Sequence, residues 1–389
     1  LPEIITLPGD RSGTFRTLTV WRFGDQRTGA PVPGSGVPRH PKAFIQAGLH
    51  ADEIPGMLVA HHLIGRLAGL PVPGEVVVVP MANPVGLAQT VAGTAVGRHA
   101  LDGSGNFNRG FPDLGPAALE RLDGRLTADA TTNIALARAA LAAAHGAMAP
   151  TALTPASEVD VLRHRLLGLA LDADIVLDLH CDTESVAHLY TGERLWPEAA
   201  DIAGELGCRA VLLSGASGGS PFDEACSSPW WSLADALASQ GPLPPACLAA
   251  TVELRGKADV SDALAAADAD AIVRILQRRG VVGGAPGSPP PPACPATPLA
   301  GLDRLVAPHS GVVVFRKAVG EAVTAGEPVA DIVAPHAHGP GARTPLVSRT
   351  DGLLMARSDR RFAGQGELVA TVAGAVPLPP LAGHGLLFD

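Results

Sequence analysis

Five short apolar runs punctuate the first two thirds of the chain: AFIQAGL at 43–49, EVVVVP at 75–80, DIVLDL at 174–179, AVLLS at 210–214 and AATVEL at 249–254. Their length and their Val, Ile and Leu content predict buried strands. Between them the period lengthens. Residues 53–69 repeat apolar side chains at Met57, Ala60, Ile64 and Leu67, and 129–145 and 158–170 carry comparable faces, which predicts helices. DVSDALAAADADAIVRILQRRG, 259–280, reads as the closing helix or helices. Strands separated by helices predict an α/β domain with a largely parallel sheet. Ahead of it, TFRTLTVWRFG predicts an edge strand or hairpin.

The pattern breaks at GGAPGSPPPPACPATPLA, 283–300. Four consecutive prolines cannot sustain helical hydrogen bonding, so this stretch predicts a semi-rigid linker or a surface excursion. Beyond it the texture is β. The segments 311–333 and 351–372 each hold a glycine-initiated apolar strand, a polar turn, and a Gly-Glu pair leading into another strand. That half-repeat predicts a small barrel-like domain of paired hairpins. The predicted division is therefore a catalytic domain over 1–282, a linker over 283–300 and a C-terminal β domain over 301–389.

Composition narrows the partners. With 389 residues, 17% of them charged and a formal net charge of -9, the chain offers no clustered basic face for nucleic acid. A small anionic substrate stays open, since one or two arginines in a pocket overrule the overall sign. Five cysteines without a CxxC pair argue against a disulfide scaffold and for a reducing, cytoplasmic compartment. LPEIITLPGD lacks the pattern of a signal peptide, and VVVVPMANPVGLA is too short and interrupted to span a bilayer, so no membrane partner is expected. Homo-oligomerisation is left open.

Candidate chemistry lies at the ends of the predicted strands. In GLHADEIPG, His50 and Glu53 fall at a strand-to-helix junction, where the strand delivers His50 to the sheet edge and the first helical turn returns Glu53 beside it. Asp52 reads as a helix cap or a supporting group, and Pro55 is tolerated in the first turn. His180, in DIVLDLHCD, ends another strand, where open parallel sheets place their ligands. Two histidines and one carboxylate with a fourth position for water make a catalytic zinc set, which predicts one zinc ion per chain. Asp178 and Asp182 are candidates to support it. The alternative for each motif alone is an ordinary capped loop.

GRHALDGSGNFNRGFPD, 97–113, clusters Arg98, Asn106, Asn108 and Arg109 in a Gly-rich loop, either a solvated turn or a site for a carboxylate and an oxyanion. Glu253, in TVELRG, again ends a strand; it reads as a general base, or as an ion-pair partner of Arg255 or Lys257. SGGSPFDEACSSPWW, 217–231, reads in two ways. It forms a pocket wall or lid, with Trp230 or Trp231 on an acyl group and Asp223 or Glu224 on an amine, or it is a packed surface loop with core tryptophans. Tyr190, after His188 in VAHLYTG, reads equally as a residue near the site or as part of a plain strand, and neither is assigned a catalytic role.

HADE at 50–53, NFNRGFP at 106–112, DLHCD at 178–182 and VELRG at 252–256, in this order and spacing, resemble the succinylglutamate desuccinylase/aspartoacylase family of zinc-dependent amidohydrolases. That family shares its catalytic domain with zinc carboxypeptidases, and its small β domain is matched by the Gly-Glu-x-V turns, so the resemblance covers about 40–375. It implies zinc on His50, Glu53 and His180, Glu253 as the catalytic carboxylate, and Asn108 with Arg109 as the substrate clamp. Arg98 is a looser match for a second arginine that polarises the scissile carbonyl, because the intervening loop is longer than in typical aspartoacylases. Ala51 replaces the usual glycine after the first histidine. The implied activity is hydrolysis of the amide bond of a small N-acyl amino acid. Its rivals are a metallocarboxypeptidase acting on short peptides and a non-catalytic carrier resembling biotinyl or lipoyl barrels, although Arg357 lies near the place where a modified lysine would be sought and Lys317 sits in a different turn-like context.

Overall fold

Nine strands form the central sheet of the computed structural model, which describes residues 1–9, 11–24, 40–150 and 156–379. In chain order they are β1 (Glu3–Pro8), β2 (Phe15–Gly24), β3 (Lys42–Ala47), β4 (Glu75–Val79), β5 (Ile175–Asp182), β6 (His188–Gly192), β7 (Ala210–Ser214), β8 (Leu248–Gly256) and β9 (Ala296–Pro298). Across the sheet they run β1-β2-β4-β3-β5-β8-β6-β7-β9. All five predicted apolar runs are strands of this sheet.

The sheet is mixed. β3 pairs in parallel with β4 and β5, and β5 with β8, whereas β6 lies antiparallel to β8 and the N-terminal hairpin joins antiparallel to β4. Alternate residues of each central strand feed opposite cores. Phe44, Val77 and Val79 face one, Ala43, Ile45, Val76 and Val78 the other. Both faces are therefore apolar, and both need covering. Helices α1 (Pro55–Leu67) and α5 (Asp262–Arg278) cover one side. α2 (Ala130–Ala147), α3 (Glu158–Ala170) and α4 (Phe222–Ala236) cover the other. Among the described residues no helix is long and apolar enough to cross a membrane.

The proline-rich stretch does not merely bridge: its last residues are β9, paired in parallel with β7 at the rim of the sheet. The C-terminal residues then build two further sheets around one shared core that includes Leu305, Val313, Val329, Ile332, Leu354 and Val372. One has the order Arg343–Val347, Pro328–Val333, Gly311–Phe315, Phe362–Ala363. The other runs Glu184–Ser185, Gly352–Arg357, Leu368–Gly374, Leu302–Val306, with Ala322–Val323 also on Gly352–Arg357. Neither strand order returns to its first strand, so paired hairpins are present without a sheet closed on itself. Glu184–Ser185 comes from the turn just after β5, and Glu184 also accepts from Arg357 at 2.6 Å and Arg361 at 2.5 Å. Residues 380–389 of the predicted C-terminal domain lie outside the described residues.

Candidate active site

β3 ends at Ala47, and Gly48 reverses the backbone at φ 71°, a conformation that costs glycine little. The chain then turns through His50 and Glu53, whose amide donates to the His50 carbonyl at 3.1 Å, before α1 begins at Pro55. Asp52 does not cap that helix. The helix has no side-chain cap, and Asp52 is ion-paired with Lys257 instead. The Arg98 loop crosses this turn closely, with the Ala51 amide donating to the Gly97 carbonyl at 2.9 Å. A Cβ at Gly97 would stand 2.4 Å from the Asp52 nitrogen. Gly97→Ala must therefore part the two segments, at an expected cost of about 1–3 kcal/mol, read as a lowered Tm in thermal melts.

His50, Glu53 and His180 converge, exposed by only 4%, 3% and 2%. One donor atom of each lies within 4.8 Å of the others. The two Glu53 oxygens are shared out: Oε1 lies 2.9 Å from His50 Nδ1 and Oε2 2.9 Å from His180 Nδ1. Each imidazole is anchored through its other nitrogen. His50 Nε2 donates to Asn106 Oδ1 at 2.8 Å, and His180 Nε2 is ion-paired with Asp178 Oδ2 at 3.0 Å, while Asp178 Oδ1 accepts from Gln46 at 3.0 Å. These outer bonds fix the rings with Nδ1 aimed at the carboxylate.

The charges of the cluster are consistent with a metal site. Burial lowers the His50 pKa, so its Nδ1 is a lone pair facing a carboxylate oxygen. Two acceptors at that distance need a positive charge between them. Burial would also lower His180, but the Asp178 and Glu53 carboxylates hold it well above the usual histidine range. Glu53, raised by burial alone, is held well below its ordinary value by the two imidazoles. Arg98 supplies a further positive charge, its Nη1 lying 3.2 Å from His50 Nδ1 and 3.3 Å from Glu53 Oε1. The donor set fits a divalent cation of the zinc type. Asn106→Ala frees the His50 ring and is expected to weaken metal binding about 10–100-fold, measurable by chelator competition.

Glu253 stands on β8 directly beside His180 on β5, in register. The ion-pair alternative for it is not realised: Arg255 pairs with Asp268 and Lys257 with Asp52. Its Oε2 is buried without a hydrogen-bond partner. Burial first, then the charge of Glu53, pushes its pKa up to about 8. Asn108, 4% exposed, accepts the Phe222 amide through Oδ1 at 2.9 Å, and Arg109 Nη1 donates to the Asn108 carbonyl at 2.8 Å.

Seven of these eight residues, all but the buried Asn106, line one cavity of about 900 Å³: His50, Glu53, Arg98, Asn108, Arg109, His180 and Glu253. Sequence reasoning missed much of the rest of that wall. Tyr190 lines it, with its pKa raised by burial, and Leu302, Arg304, Met355, Arg357 and Arg360 reach it from the C-terminal sheets. The only signal for Tyr190 was its place two residues after His188, on the strand that pairs with Glu253.

The 217–231 segment is only partly a pocket wall. Ser217, Pro221, Asp223, Glu224 and Ser227 line the cavity. From Phe222 onward the segment is helix α4, Trp230 is buried in the core at 1% exposure, and Trp231 packs against the opposite core. Of the two readings of the tryptophans, core packing is the one realised.

The family model "Succinylglutamate desuccinylase/Aspartoacylase catalytic domain" matches residues 39–278. Comparison with curated proteins gave no match. Among solved structures, a Shewanella amazonensis SB2B protein assigned to the same family is 27% identical with a TM-score of 0.84, covering 96% of this chain and 98% of its own. A Shewanella frigidimarina NCIMB 400 protein of the same assignment is 25% identical with a TM-score of 0.81, covering 98% and 99%. The ectoine utilization protein EutE (DoeB) of Ruegeria pomeroyi, 18% identical with a TM-score of 0.62 over 96% and 95%, shares the fold.

Proposed function

Because the chain belongs to the succinylglutamate desuccinylase/aspartoacylase family, and so is an amidohydrolase of small acylated substrates, we propose that it hydrolyses the amide bond of an N-acyl amino acid at a zinc site held by His50, Glu53 and His180. The observation that carries this reading is the pair of buried Nδ1 atoms converging on Glu53 at the wall of a cavity that also holds Glu253. Zinc bound there supplies Lewis acidity toward a carbonyl and lowers the pKa of water.

The chain's own groups do the rest. Glu253, raised in pKa by its surroundings, takes the proton of the attacking water and returns it to the leaving amine. Arg98 offers a guanidinium to the oxyanion that develops from the carbonyl. Arg109, its guanidinium tied to the Asn108 carbonyl, grips the substrate carboxylate. Asn108 fixes that grip to the start of α4.

A small substrate is favoured over a peptide, because Leu302, Arg304 and residues 355–360 of the C-terminal part wall the cavity where a peptidase groove must stay open. The carrier reading is disfavoured by Lys317, which is ion-paired with Glu327 at 2.5 Å. We place the division of the chain at 1–282, 283–300 and 301–389, and the protein in the cytoplasm, in keeping with five free cysteines. The test is a screen of zinc-loaded protein against N-acetyl and N-succinyl amino acids and short peptides, reading released amine. Turnover confined to peptides, or none at all, overturns the deacylase reading.

A further inference from the structure

Asp223 lies in the first turn of α4 and lines the cavity, only 7% exposed. Its polar neighbours are occupied elsewhere. Glu224 Oε1 accepts the Ser217 amide at 2.7 Å, Asp178 is held between Gln46 and His180, and Ser227 Oγ donates to the Asp223 main-chain carbonyl, not to its carboxylate. No cationic side chain of the described residues forms an ion pair with that carboxylate. Burial pushes its pKa up to about 7, the charges of Glu224 and Asp178 act in the same direction, and the Glu224 main-chain N–H and the His180 charge oppose them less strongly. A carboxylate so placed is stabilised most by a cation brought in through the cavity.

The position of Asp223 relative to Arg109 gives the cation its place in a substrate. The loop of Asn108–Phe111 is bonded along the residues that lead into α4: the Gly110 amide donates to Gly219 at 2.7 Å, Phe111 to Ser220 at 3.1 Å, and Phe222 to Asn108 Oδ1. Arg109 lies against this same segment, close enough that a Cβ at Gly219 would stand 2.5 Å from its Cδ. The carboxylate grip and the unpaired acid therefore occupy one wall, held in fixed relation by main-chain bonds. An amino acid whose carboxylate rests on Arg109 can then extend its side chain toward Asp223.

We propose that Asp223 sets specificity by pairing with a cationic group on the substrate's amino-acid side chain, so that the preferred substrates are N-acyl derivatives of diamino or other basic amino acids. The inference rests on the deacylase reading and adds the class of side chain to it.

The test compares Nα-acetyl and Nα-succinyl derivatives of ornithine and lysine with those of norleucine, an apolar isostere of ornithine, on the zinc-loaded protein. The parent should favour the cationic probes in kcat/KM, and Asp223→Asn should reduce the cationic-to-neutral ratio at least about 30-fold, mostly through KM. Asp223→Glu should retain part of the preference. Calorimetric binding of free ornithine and free norleucine gives a second readout that needs no turnover. If no acylated probe is hydrolysed but ornithine is preferred and Asp223→Asn abolishes the preference, the cation site stands and the deacylase reading fails. If the probes are hydrolysed without a cationic preference, or with one that survives Asp223→Asn, the cation site fails and the deacylase reading stands. Absence of both hydrolysis and ornithine preference overturns both.

Discussion

Glu253→Gln is expected to lower kcat by about three orders of magnitude while the metal stays bound, within the range set by loss of a positioned general base. The amide keeps the shape of the carboxylate on β8 beside His180 but cannot take a proton. Without a metal, burial and the Glu53 charge raise Glu253 to about 8; a dication among the three ligands acts the other way and favours the carboxylate. The base works only when ionised, so the parent's kcat/KM falls as pH drops through the pKa of Glu253. In the metal-loaded protein that limb belongs below 8, and the variant should lack it. Steady-state kinetics across pH, with metal content measured on the same samples, check both points. Turnover within a few fold of the parent would remove Glu253 from the role of base.

Glu53→Gln should have the second largest effect, loss of the metal and with it of all turnover. Glu53 is the one anion among the three proposed ligands, and both of its oxygens face an imidazole Nδ1. A neutral amide gives up that charge and presents an N–H to one of the two rings. Removing one member of a buried charge pair costs about 3–5 kcal/mol, so the metal-free variant should also melt earlier than the metal-free parent. The proton on His180 supplies a check in the parent. Its raised pKa means that metal uptake must displace a proton. Apparent affinity should therefore weaken as pH falls below that raised value, by up to about tenfold per pH unit. Metal titrations at several pH values read the slope, and a flat profile would contradict a protonated His180 in the metal-free site.

Much of this site is legible in the sequence because its groups sit at strand ends, and strand ends are marked by where apolar runs stop. His50, Glu53, His180 and Glu253 were all placed in that way. The supporting groups were harder to read, because their partners are distant in sequence. Asn106 anchors a ring 56 positions earlier, and Asp52, adjacent to a helix start and chemically suited to capping it, is held instead by Lys257, 205 positions later. In the 217–231 segment, small residues and Pro229 masked a helix whose tryptophans serve two cores. The hairpin repeat of the C-terminal residues reports local pairing but not that Glu184–Ser185 joins their sheet. For the same reason Arg304 and Met355 could not be read as cavity residues.

The prolines that end the helical pattern have one more effect. β9, three residues long and finishing in Pro298, is the last strand on its side of the central sheet. A proline carries no N–H, and so short a rim offers an incoming chain few main-chain partners. The segment that reads as a tether thus also ends the sheet on this side in a strand too short to be copied at length, whereas the opposite rim is the six-residue β1.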